Sequence, residues 1–153
     1  MTIDLVPYNT TYKAPKLEKI NIRNSKNSRV EVHFFHTRQR LNRHYFVKLV
    51  DVACAIGFTG SAGLVPYADN SNITILDWKN CKVIDVLHVP ALLNHFISIM
   101  QDKGWLTEAW GRGENAARFL QWFCDTVKKN FGVEFPQTDN EEIIDAICER
   151  LNS

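Results

Sequence analysis

Several features that would assign this sequence to a particular class of protein are missing from it. No stretch of its 153 residues approaches the roughly 20 consecutive apolar residues that are needed to cross a bilayer. Residues 1–7 also lack the basic segment followed by an apolar segment that is typical of a secretory signal. These absences predict a soluble protein that stays in the cytoplasm and has no membrane partner.

Cysteine is scarce, and its spacing does not suggest a disulfide framework or a zinc site. The four cysteines are far apart and form no CxxC pair: Cys54, Cys81, Cys124 and Cys148. They fall mostly within apolar segments, which is typical of reduced, buried thiols. Cys54 and Cys124 are predicted on buried helix faces, where neither would serve as a catalytic nucleophile.

Other residue types that carry chemistry are present, but their spacing is unsuitable. His33 and His36 are three positions apart on a predicted strand, so their imidazoles would point to opposite faces. The glycine-rich segment 57–63 lacks the Lys and Ser/Thr of a phosphate-binding loop, and we interpret it as a flexible connection. We therefore expect no enzyme activity, no metal site and no cofactor.

What the sequence does have is an uneven distribution of charge. Residues 1–50 carry ten Lys or Arg side chains against three Asp or Glu, whereas residues 51–153 carry eight against fourteen. The basic surplus in the first third predicts a polyanionic partner, and nucleic acid is the commonest one. The alternative is that the basic segment is only solvated, or that it lies against the acidic remainder of the chain.

The basic third is divided into an arm and a hairpin. Residues 1–28 are rich in Asn, Thr, Ser and Lys and have little to bury, which predicts a flexible arm. Alternating residues from Arg29 onward, a polar turn at 37–43 and the run Tyr45, Phe46, Val47 predict a β-hairpin with a basic tip. The candidate nucleic-acid-binding residues are Lys13, Lys16, Lys19, Arg23, Lys26, Arg29, Arg38, Arg40, Arg43 and His44.

The order of predicted elements in residues 29–153 indicates a single α+β domain, in which two β-hairpins and a short helix are followed by three helices. Glycine and proline content predicts a loop between the short helix and the second hairpin. Apolar spacing and turn residues give the bounds: helix 48–56, loop 59–72, hairpin strands 73–78 and 82–87, and helices 90–100, 114–131 and 138–151.

Three segments together resemble a known domain. They are YFVKLVDVACAIGF at 45–58, KVIDVLHVPALLNHFISIM at 82–100 and AARFLQWFCDTV at 116–127. In order and spacing they are similar to the Bro-N domain of phage antirepressors and baculovirus repeated-ORF proteins. The resemblance implies a Bro-N-like fold in a stand-alone module. It also implies a phage-derived, double-stranded-DNA-binding protein that acts in transcription regulation or host takeover, in the cytoplasm of a bacterial host.

The acidic part of the chain leaves a second hypothesis open. A small phage inhibitor would bind a host defence or transcription protein, with the predicted C-terminal helix occupying a basic groove of its partner. Trp105 and Trp110 lie in a predicted linker, where they would serve an interface or close the domain. Candidate residues for this protein interface are Trp105, Trp110, Glu141, Glu142 and Asp145. The oligomeric state is not predicted.

Overall fold

The computed structural model describes residues 5–13, 29–39, 41–103 and 108–135, with residues 108–110 described by their backbone alone. Five antiparallel strands form one sheet, in the order β1-β2-β3-β5-β4. The strands are β1 (Leu5–Lys13), β2 (Arg29–Thr37), β3 (Tyr45–Lys48), β4 (Leu76–Trp78) and β5 (Cys81–Asp85). The helices are α1 (Leu49–Ala55), α2 (Val65–Asn70), α3 (Val89–Asp102) and α4 (Glu108–Phe131). The predicted α+β class and both predicted hairpins are confirmed.

Residues 5–13 form β1, so the prediction of a flexible arm is wrong for this part of the chain. The strand pairs with β2 along its whole length, from Leu5 opposite Thr37 to Lys13 opposite Arg29. β1 contributes one buried side chain near each of its ends, Leu5 and Tyr12. Thr and Tyr favour strands, but the overall polar composition of residues 1–28 indicated a flexible arm instead. Residues 14–28 lie outside the described residues.

One face of the sheet, called here the inner face, packs against the helices. Alternation along β2 places Val30, Val32 and Phe34 on this face, and all three are buried. Helix α4 contributes Phe119 and Phe123 to the same core, and the Phe123 ring lies 5.7 Å from that of Phe34. Burial of this face against the helices is the main source of stability that the described residues provide.

The opposite face, called here the outer face, has a smaller apolar cluster of its own. Phe35 on β2 and Phe46 on β3 are buried there, and the Phe35 ring lies 4.7 Å from that of Trp78 on β4. A flat sheet would hold β2 and β4 roughly 14 Å apart, because two strands lie between them. The sheet is therefore strongly curled, and its outer face is concave around these rings.

Strand β3 continues into α1 without a turn, and a side chain of α1 bonds to β2 at the point where the pairing between β2 and β3 ends. Pairing of β3 with β2 covers only residues 34–36 of β2. Next to this segment, the backbone N–H of His33 donates to Asp51 Oδ2 at 2.9 Å. The His33 Nδ1 atom lies 2.9 Å from the same oxygen. A side chain of α1 thus satisfies a strand N–H that β3 no longer reaches.

The predicted loop at 59–72 is wrong, because most of this segment is helical. A short 3-10 turn, Ser61–Gly63, leads into α2, which has Pro66 in its first turn. The segment is too short for a periodic signal, and its Gly and Pro content indicated a loop. A Cβ atom at Gly63 would clash with the ring of Phe58, so the glycine lets the backbone close over that ring. At Gly63, therefore, the glycine serves packing.

Helix α4 begins at Glu108, six residues before its predicted start at 114. Gly111 and Gly113 lower the intrinsic helix propensity there, but both are buried, and packing outweighs the propensity. The helix ends as predicted, with Gly132 following in a left-handed conformation at φ 68°. The predicted helix 138–151 lies outside the described residues. Among the helices of the described part, none combines the length and apolar character that a membrane crossing requires.

Candidate nucleic-acid interface

Strands β2 and β3 are joined by the loop 38–43, of which all but residue 40 are among the described residues. The backbone N–H of Thr37 donates to the carbonyl of His44 at 3.0 Å. In return, the N–H of His44 donates to the Thr37 hydroxyl at 3.0 Å. These two bonds fix the base of the loop. The described residues of the loop (38, 39 and 41–43), together with His44, are called here the hairpin tip.

Bonds within the loop give the hairpin tip a defined shape. Arg43 Nε donates to the carbonyl of Gln39 at 3.0 Å, which joins the two sides of the loop. Asn42 adopts a left-handed conformation at φ 54°, which Asn tolerates better than most residues. The Arg43 side chain is therefore oriented by the backbone, and its terminal amino groups have no carboxylate within 4 Å among the described residues.

An acidic side chain, Asp85, lies near the base of the hairpin tip. The His44 Nδ1 atom lies 3.8 Å from Asp85 Oδ2. The other oxygen of Asp85 accepts a hydrogen bond from the backbone N–H of Leu87 at 2.9 Å, which caps a short 3-10 turn, Val86–His88. Asp85 thus has a structural function, and it lies beside the imidazole of His44.

The register of β1 and β2 creates a second basic group, at the opposite end of β2. Lys13 lies directly opposite Arg29, and both side chains are exposed. Like charges in this arrangement destabilise a sheet. Neither has a carboxylate partner among the described residues. The register therefore holds two like charges side by side on the surface of the sheet.

The predicted basic residues therefore form two groups, whose separation is set by the length of β2. Eight residue steps separate Arg29 from Thr37, which corresponds to roughly 26 Å of strand. The structure brings Arg38, Arg43 and His44 together at the hairpin tip, whereas Lys13 and Arg29 lie at the far end. The other candidates of this set lie outside the described residues: Lys16, Lys19, Arg23, Lys26 and Arg40.

The candidate protein interface falls almost wholly outside the described residues. Trp110 lies in α4, which corrects its assignment to a linker, and its side chain is among those not described. The other four candidates also lie outside: Trp105, Glu141, Glu142 and Asp145. Of the aromatic residues that follow in α4, Phe119 and Phe123 are fully buried, as expected for core positions.

The histidines considered as metal ligands have other contacts. His33 is held by Asp51, and its Nε2 atom lies 3.5 Å from Glu31 Oε1. His36 Nδ1 lies 2.8 Å from the carbonyl of Thr37. Within the described ranges, no group of three or more His, Cys, Asp or Glu side chains is placed to hold a metal ion. Three of the four cysteines, Cys54, Cys81 and Cys124, belong to no disulfide and are half-buried, less deeply than predicted.

The structure also reveals two features that the sequence reasoning missed. Leu41, at the hairpin tip, is 84% exposed, and its sequence signal is a single apolar residue within the polar run RQRLNRH. The second feature is an open groove of about 330 Å³ between β1 and α4. Its lining is polar and comes from two separate elements: Tyr8, Thr10, Asp125, Thr126, Lys129 and Asn130. No local pattern indicates that these residues meet.

Comparison of the chain with models of protein families, with curated proteins and with solved structures finds no match.

Proposed function

We propose that this protein binds double-stranded DNA through its hairpin tip and acts as a regulatory, antirepressor-like protein of phage origin. The observation that carries the proposal is the loop between β2 and β3, which places Arg38, Arg43 and His44 close together in the chain at one end of the sheet. No carboxylate among the described residues lies within 4 Å of the Arg43 guanidinium, which is held in position by its hydrogen bond to the carbonyl of Gln39. A two-stranded β-ribbon is one of the elements by which proteins enter a DNA groove.

The second basic group supports the same proposal. Lys13 and Arg29 lie at the other end of the β1–β2 ribbon, roughly 26 Å from the hairpin tip. This is less than one turn of B-DNA, which is about 34 Å, so both groups reach phosphates of a single short duplex. The hairpin tip then provides the main contact, and Lys13 with Arg29 provides an auxiliary contact to the backbone.

The order of elements supports a Bro-N-like identity for the module. A hairpin runs directly into α1, and β5 leads through a single 3-10 turn into the Leu-rich helix α3. These are the segments whose sequences resemble that domain. We place the action of the protein in the cytoplasm of a bacterial host, where it works by binding and not by catalysis.

The test compares two double charge reversals that change the net charge equally at the two ends of β2. We expect Arg38→Glu with Arg43→Glu to lower DNA affinity by at least about 100-fold, because two phosphate contacts become repulsive. We expect Lys13→Glu with Arg29→Glu to lower it by about tenfold or less. Fluorescence anisotropy with a labelled 30-base-pair duplex measures both, and circular dichroism verifies that each variant is folded.

Salt dependence separates a specific contact from a general loss of charge. Each phosphate contact contributes about −0.9 to the slope of log affinity against log salt concentration, so the hairpin-tip variant should lose about two units of slope. Equal losses of affinity in the two variants would show that only net charge matters. An unchanged affinity in the hairpin-tip variant would refute the placement of the site.

A further inference from the structure

Leu41 is the most exposed large apolar side chain among the described residues. It is 84% exposed, whereas the next two, Leu87 and Tyr8, are 51% and 37% exposed. The other described residues of the hairpin tip are polar or cationic. An isolated exposed leucine is common on protein surfaces, but this one lies in the loop that joins β2 and β3, between Arg38 and Arg43 in sequence.

The loop holds Leu41 away from the core by specific bonds. The base is closed at Thr37 and His44, and Arg43 is joined to Gln39 across the loop. Next to Leu41, the left-handed conformation of Asn42 reverses the chain direction. Leu41 is therefore exposed in a loop that is bonded on both sides of it, with Arg38 before it and Arg43 after it in sequence.

We propose that Leu41 is an apolar wedge that enters the minor groove of DNA and partly unstacks one base step. This inference depends on the proposed function, because it assigns a binding mode to the same hairpin tip. Proteins that bend DNA insert Leu, Ile, Met, Phe or Pro side chains between base steps and place cationic side chains on the adjacent backbone. Arg38 lies three positions before Leu41 and Arg43 two positions after it, and we assign such backbone contacts to them.

The widths of the two grooves favour the minor groove for a single side chain on a loop. The minor groove is about 6 Å wide, and a single loop apex fits it, whereas the major groove of about 12 Å admits a whole ribbon or helix. Insertion kinks the duplex by roughly 20–90° toward the major groove. Flexible pyrimidine–purine steps kink most easily, so a central TA step should bind more tightly than a central AA step.

The experiment measures bending and step preference in the full chain. Two end-labelled 30-base-pair duplexes, which differ only in a central TA or AA step, report the bend by energy transfer and the affinity by anisotropy. We expect the native protein to bend the TA duplex and to prefer it by about five- to tenfold. Leu41→Ala should remove both the bend and the preference, while the salt dependence stays unchanged.

Two further variants control for chemistry and location. Leu41→Met keeps a long apolar side chain and should restore the bend and the preference. Leu87→Ala removes another exposed leucine, outside the hairpin tip, and should behave like the native protein.

The possible failures can be told apart. If the native protein binds DNA, but Leu41→Ala bends the duplex equally, the wedge is refuted and the proposed function stands. Binding without a bend, combined with a preference for thymine methyl groups that Leu41→Ala abolishes, would place Leu41 in the major groove and also refute the wedge. If the native protein binds neither duplex at low salt, both proposals fail.

Discussion

Phe34 and Phe35 are consecutive in sequence and carry the same side chain, yet they belong to different environments. Phe34 is fully buried on the inner face, with its ring 5.7 Å from Phe123 and 5.5 Å from Phe131 of α4. Phe35 is 5% exposed on the outer face, where its ring contacts Trp78 of the same sheet. Nearly equal burial therefore has two origins: packing between sheet and helix on one side, and curvature of the sheet on the other.

The largest effect is expected when the inner face is truncated. Phe34→Ala should lower the free energy of unfolding by about 4–5 kcal/mol, because helix α4 cannot collapse into the cavity. Urea denaturation followed by tryptophan fluorescence measures this loss. A smaller loss than that of Phe35→Ala would reverse the ranking of the two faces.

Truncation of the outer face should cost less. Phe35→Ala should lower the free energy of unfolding by about 3 kcal/mol or less, because the indole of Trp78 can move into the vacated space. The same denaturation series gives the value when far-ultraviolet circular dichroism is the probe, since Trp78 fluorescence itself will change. A loss equal to that of Phe34→Ala would show that curvature of the sheet holds Phe35 as rigidly as a helix would.

The contact between Phe35 and Trp78 provides a direct test of the curled sheet. In a double-mutant cycle, Phe35→Ala and Trp78→Ala should show a coupling of about 0.5–1.5 kcal/mol, which is typical of aromatic pairs. The matched cycle of Phe34→Ala with Trp78→Ala should be additive within roughly 0.5 kcal/mol, because these side chains lie on opposite faces. Additivity in both cycles would indicate that the outer cluster does not form in solution.

The smallest effect concerns a polar contact at the rim of the inner face. The Tyr8 hydroxyl donates to Asn130 Oδ1 at 2.9 Å, and the Tyr8 side chain is 37% exposed. Tyr8→Phe should cost only about 0.5 kcal/mol, because water replaces the lost partner. Thermal denaturation detects this change, and Asn130→Ala should give a similar value. A loss above about 2 kcal/mol would mean that β1 depends on this bond for its attachment.

The elements with local signals could be predicted from the sequence. Alternation in β2, a polar turn and the aromatic start of β3 indicated the first hairpin, and Lys79 with Asn80 indicated the second. Strand β1 could not be predicted, because its buried residues, Leu5 and Tyr12, are too widely spaced to show a periodicity. Its attachment depends on pairing with β2 and on rings of α4 that are more than one hundred positions away.

The candidate site shows the same division. Arg38, Arg43 and His44 are neighbours in sequence, so their grouping on one turn followed from the hairpin itself. Lys13 and Arg29 carry the same sign of charge, and a count of charges placed them in one basic region. The antiparallel register places Lys13 opposite Arg29 at the far end of β2, and this pairing is visible only once β1 is known to be a strand.

The junction of β3 with α1 has a consequence for the behaviour of the protein at high concentration. Strand edges with unpaired N–H groups recruit strands from other molecules, which leads to aggregation. At His33 the vacant donor is instead taken by Asp51, so an approaching segment meets a carboxylate where it would need a free N–H. A single side chain of α1 thus protects this stretch of β2 against intermolecular strand addition.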